Sequence, residues 1–370
     1  MTYQEPADAG NAHRGAFHAE LRGLMRQRFA AAAEARLAYF VPSLESAEAW
    51  AASLPKYRDD LKQLLGWPWT EVAEPEPPAL RREAVGRDEF GTIERVHAEA
   101  LPGVSMYGLL FLPEHDDKPV PLRGLVIAQH GGLGTPELVA NFFRIANYGD
   151  MVNRLRQRGL AVLAPQVTRW APDFHPGPED EIAPGAQPDR GDPAGLNPGQ
   201  WHGMLTATGG TLLGLESFGI LRLLDAALAM PELQDTPVGM FGLSYGGMLT
   251  LLTSALEPRI RVAAASACMN DGSPQAVMHD LAWPGGLRQF APAELGGLIC
   301  PGPLALEIGR GDDHIIVANA AAAVEHVSSW YARLGIADRL LYHEHAGGHE
   351  IDRADDAVFD FVDRHLSAGG

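Results

Sequence analysis

The sequence predicts an α/β protein whose central sheet is mainly parallel and flanked by helices. Short apolar runs recur after residue 90 and are separated by helical patterns, an alternation typical of parallel strands with helices on both faces. Apolar residues make up 46% of the 370 residues, which is enough for a sizeable core. In addition, Ser244 lies between Gly242 and Gly246, two residues from each. An apolar run precedes this segment, and an apolar helical stretch follows it.

Two helical patterns precede the sheet. Apolar residues fall at helical spacing first over residues 17–29 and again over residues 50–65. Gly66 supplies a C-terminal cap for the second helix, and Pro68 prevents its continuation. We expect these helices to form an extension that could support a homo-oligomer.

The division into domains follows from a change in composition. Residues 74–78, EPEPP, are typical of a stiff linker. We therefore predict a helical extension over 1–78 and an α/β domain over 79–370. Within that domain, residues 168–203 are rich in proline, glycine and aspartate and form a long insertion.

The predicted elements of the α/β domain follow in order. Residues 92–100 and 105–113 resemble two antiparallel strands joined through a Pro-Gly turn. Short apolar runs then predict six further strands, and helical patterns lie between them. These strands cover 124–130, 160–167, 238–243, 261–267, 303–309 and 339–345, and the helices cover regions near 136–158, 211–230, 245–256, 317–334 and 353–366.

Charge and composition exclude several function classes. The net charge is −18, which disfavours nucleic acid and anionic membranes as partners because both require positive charge. No stretch approaches the roughly 18 apolar residues of a membrane span, and no secretory leader is visible at the N-terminus, so we expect a cytoplasmic protein. Two cysteines, Cys268 and Cys300, are too few for a disulfide framework or a four-thiolate metal site.

Ser244 has the setting of an activated nucleophile. The strand before it and the helix after it predict a strand–turn–helix in which the serine adopts a strained backbone. Gly242 and Gly246 allow the two backbones to pass closely. The helix N-terminus then favours developing negative charge beside the hydroxyl.

A serine hydroxyl needs a general base, which a carboxylate orients. His349 follows the predicted strand 339–345 in a glycine-flanked loop and is the expected base. Asp312 follows the strand 303–309 and is the expected acid, with Asp313 and Asp271 as alternatives. Positions just after the carboxyl ends of parallel strands are where sites in α/β sheets assemble.

The oxyanion of the reaction needs preorganised donors. We assign these to the backbone amides of Tyr245 and Gly132, with Leu133 as a rival for Gly132. His130 either contacts the ligand or braces this loop. His343 and His345 share one face of a strand and resemble a metal pair, but a third ligand is not evident, so no metal is expected.

Three aromatic residues in the insertion, Trp170, Phe174 and Trp201, are costly to leave in water. We predict that the insertion is an ordered loop that walls a substrate pocket, and that these three side chains bind substrate. The alternative is that residues 168–203 form a flexible surface loop that contacts no substrate.

Four motifs carry a resemblance to a known family: QHGG, FGLSYGGM, GRGDDHI and GGHE. Over residues 90–368 the chain resembles the α/β-hydrolase superfamily, and within it the dienelactone hydrolase and acetyl xylan esterase-like branch. The helices that run into LLGWP, ahead of the α/β domain, are similar to the N-terminal extension of acetyl xylan esterase-like enzymes. The long insertion departs from the family pattern and leaves the substrate open.

The resemblance implies a serine hydrolase that cleaves a carboxylic ester through an acyl-enzyme, with no cofactor. The expected substrate is a small molecule with a small acyl group on a bulky, sugar-like or cyclic alcohol. The same residues could also serve a lactonase, thioesterase, peptidase, carbon–carbon bond hydrolase or cyclase. A non-catalytic ligand-binding protein is the remaining alternative.

Overall fold

Two helices precede the sheet, and the exposure of their apolar side chains differs. In the computed structural model, α1 spans Asn11–Tyr39 and α2 spans Ala47–Leu65. The apolar face of α2 is buried, whereas Phe17 and Leu24 of α1 are 61% and 52% exposed. Self-association through these helices stays a prediction. The structure describes residues 2–72, 76–115, 118–119, 122–143, 146–169, 198–274 and 281–367.

The end of α2 agrees with its sequence. Gly66 is the C-cap, with φ of 71° and ψ of −149°, a conformation of positive φ that glycine adopts without a steric penalty. A Cβ atom at this position would lie 2.0 Å from the carbonyl oxygen of Gly209. The cap therefore also brings the helical extension into contact with the α/β domain.

The described residues contain one ten-stranded sheet. Its order is β1-β2-β3-β6-β5-β7-β8-β9-β10, with β4 paired to β3. The pairs from β6 through β10 are parallel, and β1, β2 and β3 form antiparallel pairs at one end. The strands span Leu80–Asp88 (β1), Gly91–Leu101 (β2), Val104–His115 (β3), Lys118–Pro119 (β4), Leu125–Gln129 (β5), Ala161–Pro165 (β6), Val238–Leu243 (β7), Ile260–Ser266 (β8), Leu304–Gly309 (β9) and Leu340–His345 (β10).

The central strands are short because both faces are covered. Every residue of β5, β6, β7 and β9 is buried, as expected for parallel strands between two layers of helices. The core accordingly forms two hydrophobic clusters of buried residues. The predicted antiparallel pair and all six further predicted strands are confirmed, with bounds that agree to within two residues.

Helices connect these strands. Of the predicted helices, 245–256 is found with the same bounds, while 136–158 is wrong as one element because its described residues form two separate short helices. The end of the predicted loop 168–203 is also wrong, since residues 198–203 are helical. The helices are α3 (Pro136–Val139), α4 (Met151–Arg156), α5 (Pro198–Ala207), α6 (Leu212–Leu228), α7 (Tyr245–Leu256), α8 (Pro292–Ile299), α9 (Val317–Arg333) and α10 (Ala357–Ser367).

None of the helices within the described ranges combines the length and the apolar character that a membrane span requires.

Candidate active site

Ser244 stands at the turn between β7 and α7. Its backbone has φ of 61° and ψ of −119°, a conformation that is uncommon for residues other than glycine. A Cβ atom on Gly242 would lie 2.3 Å from the carbonyl oxygen of Gly246, and one on Gly246 would lie 2.3 Å from that of Gln129. Only glycine fits at either position. The predicted strand–turn–helix around Ser244 is thus confirmed.

His349 and Asp312 are in direct contact. His349 Nδ1 lies 2.8 Å from Asp312 Oδ2, and the Asp312 side chain is fully buried. The other carboxylate oxygen accepts hydrogen bonds from the amides of His314 at 2.8 Å and Ile315 at 3.0 Å. An ionised carboxylate only accepts, so Nδ1 carries the proton and Nε2 of His349 is the acceptor nitrogen.

The two alternative acids lie elsewhere. Asp313 is exposed, and its carboxylate contacts His314 Nδ1 at 2.7 Å. Asp271 is exposed and accepts hydrogen bonds from the Ser273 amide and the Asn319 side chain. Of the three predicted acids, Asp312 is the one that contacts His349.

The loops that carry this pair are fixed to each other. The Gly311 amide donates to the Gly347 carbonyl at 2.9 Å. Asn147 donates from its side chain to the His349 carbonyl at 3.0 Å and accepts at its own carbonyl from the Ile351 amide at 2.9 Å. The position of the imidazole therefore depends on three separate loops.

Glu307 supports the loop that carries His349, and the sequence analysis did not identify this residue. This carboxylate lies on β9 and accepts the Asp352 amide at 3.1 Å. Burial raises the pKa of Glu307, although its hydrogen-bond partners act in the opposite direction. A single carboxylate in an otherwise apolar strand was the available signal.

His343 and His345 contact different partners. His343 Nε2 lies 2.8 Å from Asp352 Oδ2, and His345 Nε2 lies 3.1 Å from the Glu350 carbonyl. Both rings therefore brace the loop that carries His349. A different set, Asp312, His314 and His349, offers ligand atoms within 4.8 Å of one another. The expectation that no metal is needed stays a prediction.

The loop after β5 lies against the nucleophile. A Cβ atom on Gly131 would approach the Ser244 Cβ to 3.4 Å. The Leu133 amide already donates to the Arg169 carbonyl at 2.8 Å, so the rival donor is occupied. The Gly132 amide has no acceptor within the described part of the chain, and Gly132 is exposed. Gly132 and the first residue of α7, Tyr245, thus remain the two candidate donors.

A further buried carboxylate, Glu216 on α6, lies on the Tyr245 side of the serine. The Tyr245 hydroxyl and the Thr168 hydroxyl both donate to it, and the Thr168 amide donates at 2.8 Å. Burial raises the pKa of Glu216 to about 7, while these hydrogen bonds and the charge of Arg169 act to lower it. Sequence reasoning missed this residue because α6 carries no motif.

The structure describes two of the four predicted substrate-binding residues, Trp201 and His130, and places them in different surroundings. Trp201 lies on α5 and is 37% exposed. Trp170 and Phe174 lie outside the described residues. His130 is fully buried, with Nδ1 2.8 Å from the Gly131 carbonyl and Nε2 accepting from the Val167 amide at 3.4 Å. Its ring lies where it braces the loop after β5, which favours that interpretation over ligand contact.

A cavity of about 190 Å³ opens beside Ser244. Its described walls come from α7, the segments after β8 and β9, and the start of α8. Most of the lining side chains are apolar, and the polar ones include Asn270, His314 and Asn319. The His314 ring stacks on His349 with 4.3 Å between ring centroids.

Comparisons with solved structures agree with this architecture. A glucuronoyl esterase from Solibacter usitatus superposes with a TM-score of 0.59 at 16% identity, over 89% of this chain and 98% of that one. The chain has the α/β-hydrolase fold. This fold is what the four sequence motifs predict. No family model and no curated protein sequence matches the chain.

Two further α/β-hydrolase structures are similar. A Bacteroides fragilis protein named as an acetyl xylan esterase has a TM-score of 0.62 at 14% identity, over 82% of this chain and 77% of that one. An acetyl xylan esterase from Paenibacillus sp. R4 has a TM-score of 0.54 at 16% identity, over 84% and 94%.

Proposed function

We propose that this α/β-hydrolase is a serine hydrolase that cleaves carboxylic esters. The contact between Asp312 and His349, on the sheet edge where Ser244 occupies its strained turn, is the observation that carries the proposal. Three residues far apart in sequence provide the nucleophile, the base and the orienting acid that acyl transfer needs. The esterases of similar structure support the same reaction class.

The reaction follows from the roles of these groups. Ser244 Oγ attacks the ester carbonyl carbon while His349 Nε2 takes its proton, and Asp312 stabilises the imidazolium. The amides of Gly132 and Tyr245 stabilise the oxyanion. His349 then returns the proton to the leaving alcohol, which departs as the acyl-enzyme forms. A water molecule, deprotonated by His349, attacks the acyl-enzyme, and His349 then returns this proton to Ser244 Oγ as the carboxylic acid is released.

We propose that the alcohol part of the substrate is bulky and sugar-like or cyclic. The similar structures include enzymes named for xylan and glucuronoyl esters. Trp201 offers a partly exposed aromatic side chain on α5, and flat aromatic faces suit the apolar face of a sugar ring. The roles of Trp170 and Phe174 stay predictions.

The test of the reaction class is Ser244→Ala. We expect the rate of p-nitrophenyl acetate hydrolysis to fall by about 10⁴-fold or more, because the nucleophile acts as a unit with its base. Ser328→Ala on α9 is the matched control and should keep full activity. Circular dichroism should show both variants folded. Undiminished hydrolysis by Ser244→Ala would contradict the proposal.

The same assay tests whether a metal is required. We expect EDTA treatment to leave the hydrolysis rate unchanged, because the proposed mechanism is complete without a Lewis acid. Activity that is lost with EDTA and restored by zinc would instead assign Asp312, His314 and His349 to a metal site.

A further inference from the structure

The cavity beside Ser244 has the chemistry of a hydrophobic binding site. Large apolar side chains form most of its lining, and its polar residues include Asn270, His314 and Asn319. Cavities with this character bind apolar groups by removing their surface from water. The large apolar residues of the lining include Met248, Leu281, Trp283, Leu287, Phe290 and Ile315.

The size of the cavity does not fit a small acyl group. Its volume is about 190 Å³, whereas an apolar cavity of roughly 150 Å³ is large enough to bind benzene. The methyl group of an acetyl ester would leave most of this space unfilled, and its walls would lose the dispersion contacts that a filling group provides. A phenyl ring or a branched chain of similar size matches the volume.

The walls place this space on the acyl side of the ester. In the acyl-enzyme the acyl carbon is bonded to Ser244, and Ser244, Tyr245 and Met248 all line the cavity. The alcohol must leave beside His349, which protonates it. His349 is not among the described lining residues, and the stacked ring of His314 faces the cavity instead.

We propose that the cavity is an acyl pocket and that the enzyme prefers esters of carboxylic acids carrying an apolar group about the size of a phenyl ring. This rests on the proposed function and replaces the small acyl group expected from the sequence. The alcohol part is unaffected by the proposal. Each methylene buried in such a pocket should raise kcat/KM by about fourfold.

The experiment compares two series of esters on the wild-type enzyme. The acyl series is p-nitrophenyl acetate, butyrate and phenylacetate, and the alcohol series is ethyl and benzyl acetate. Each kcat/KM is divided by the rate of the same ester with hydroxide, which removes differences in intrinsic reactivity. We expect phenylacetate to exceed acetate by at least about tenfold, whatever preference the alcohol series shows for benzyl over ethyl acetate.

A variant that fills the cavity sharpens the result. Ala282 is half-buried and lines the cavity, so Ala282→Phe should lower the phenylacetate-to-acetate ratio by at least about tenfold. Ala49→Phe, at a half-buried alanine on α2, is the matched control and should leave the ratio unchanged. The wild-type series tests the proposal even where Ala282→Phe does not fold.

The outcomes separate this inference from the proposed function. Acetate hydrolysis that depends on Ser244 but shows no preference for phenylacetate would overturn the acyl pocket and leave the esterase intact. A preference confined to benzyl acetate would overturn it too, because the cavity would then hold the alcohol. Hydrolysis independent of Ser244 would overturn the proposed function itself.

Discussion

The two sides of Ser244 each contain a buried carboxylate, but in different surroundings. Asp312 contacts the ionisable ring of His349 and two backbone amides. Glu216 instead contacts the hydroxyl of Tyr245 and the Thr168 backbone, and burial raises its pKa to about 7. A carboxylate that must stabilise a cation during the reaction needs to be ionised, whereas one that only positions hydroxyls does not. The comparison therefore assigns a role in the reaction to Asp312 and a positioning role to Glu216.

The largest expected effect lies on the His349 side. Asp312→Asn should lower kcat/KM for p-nitrophenyl acetate by about 10⁴-fold, because an amide can donate to Nδ1 and favour the wrong tautomer of the imidazole. Asp271→Asn is the matched control at an exposed aspartate and should cost less than about threefold. Losses in the reverse order would assign the acid to the loop after β8.

The next effect lies on the Tyr245 side and concerns stability. The pKa of Glu216 is raised to about 7 in the folded protein, so between roughly pH 4.5 and 7 the folded state binds a proton that the unfolded state has lost. The free energy of unfolding therefore falls as pH rises through this window, by about 3 kcal/mol from this group. Glu216→Gln should remove that part of the pH dependence.

Urea denaturation near pH 5 and near pH 8 measures this difference. The drop in unfolding free energy from the lower to the higher pH should be about 2.5 kcal/mol smaller in Glu216→Gln than in the wild type, because part of the effect is already lost at pH 5. Glu325→Gln, at an exposed glutamate on α9, should show the wild-type drop. Equal drops in Glu216→Gln and the wild type would mean that Glu216 is ionised throughout.

The smallest effect returns to the His349 side. The His314 ring stacks on His349, and such aromatic contacts contribute about 0.5–1.5 kcal/mol. His314→Ala should therefore lower kcat/KM by about three- to tenfold, and His314→Phe should recover most of the loss. A loss in both variants would mean that the contact between His314 and Asp313 matters instead of the stacking.

Local sequence predicts the nucleophile turn because its constraints are local. Gly242 and Gly246 lie within two residues of Ser244, and both are needed for close backbone approach. The succession of strands and helices along the chain, and the positions of Asp312 and His349 just after strands, also follow from the alternation of apolar runs and helical patterns.

The supporting residues depend on contacts distant in sequence. Glu216 meets Tyr245 across 29 residues, and Glu307 meets Asp352 across 45. Neither glutamate lies in a motif, so only tertiary packing shows what each one contacts. The helices α1 and α2 show the same limit: both have apolar residues at helical spacing, yet only α2 buries that face.

The backbone of Ser244 gives catalysis a thermodynamic cost. A side chain held at φ of 61° and ψ of −119° raises the free energy of the folded state by about 1–3 kcal/mol. Glycine has no Cβ to resist this conformation, although its more flexible unfolded chain offsets about 0.5–1 kcal/mol of the gain. Ser244→Gly should thus be inactive yet more stable than the wild type by about 1 kcal/mol. Selection for the reaction would have kept this enzyme below the stability that its own fold allows.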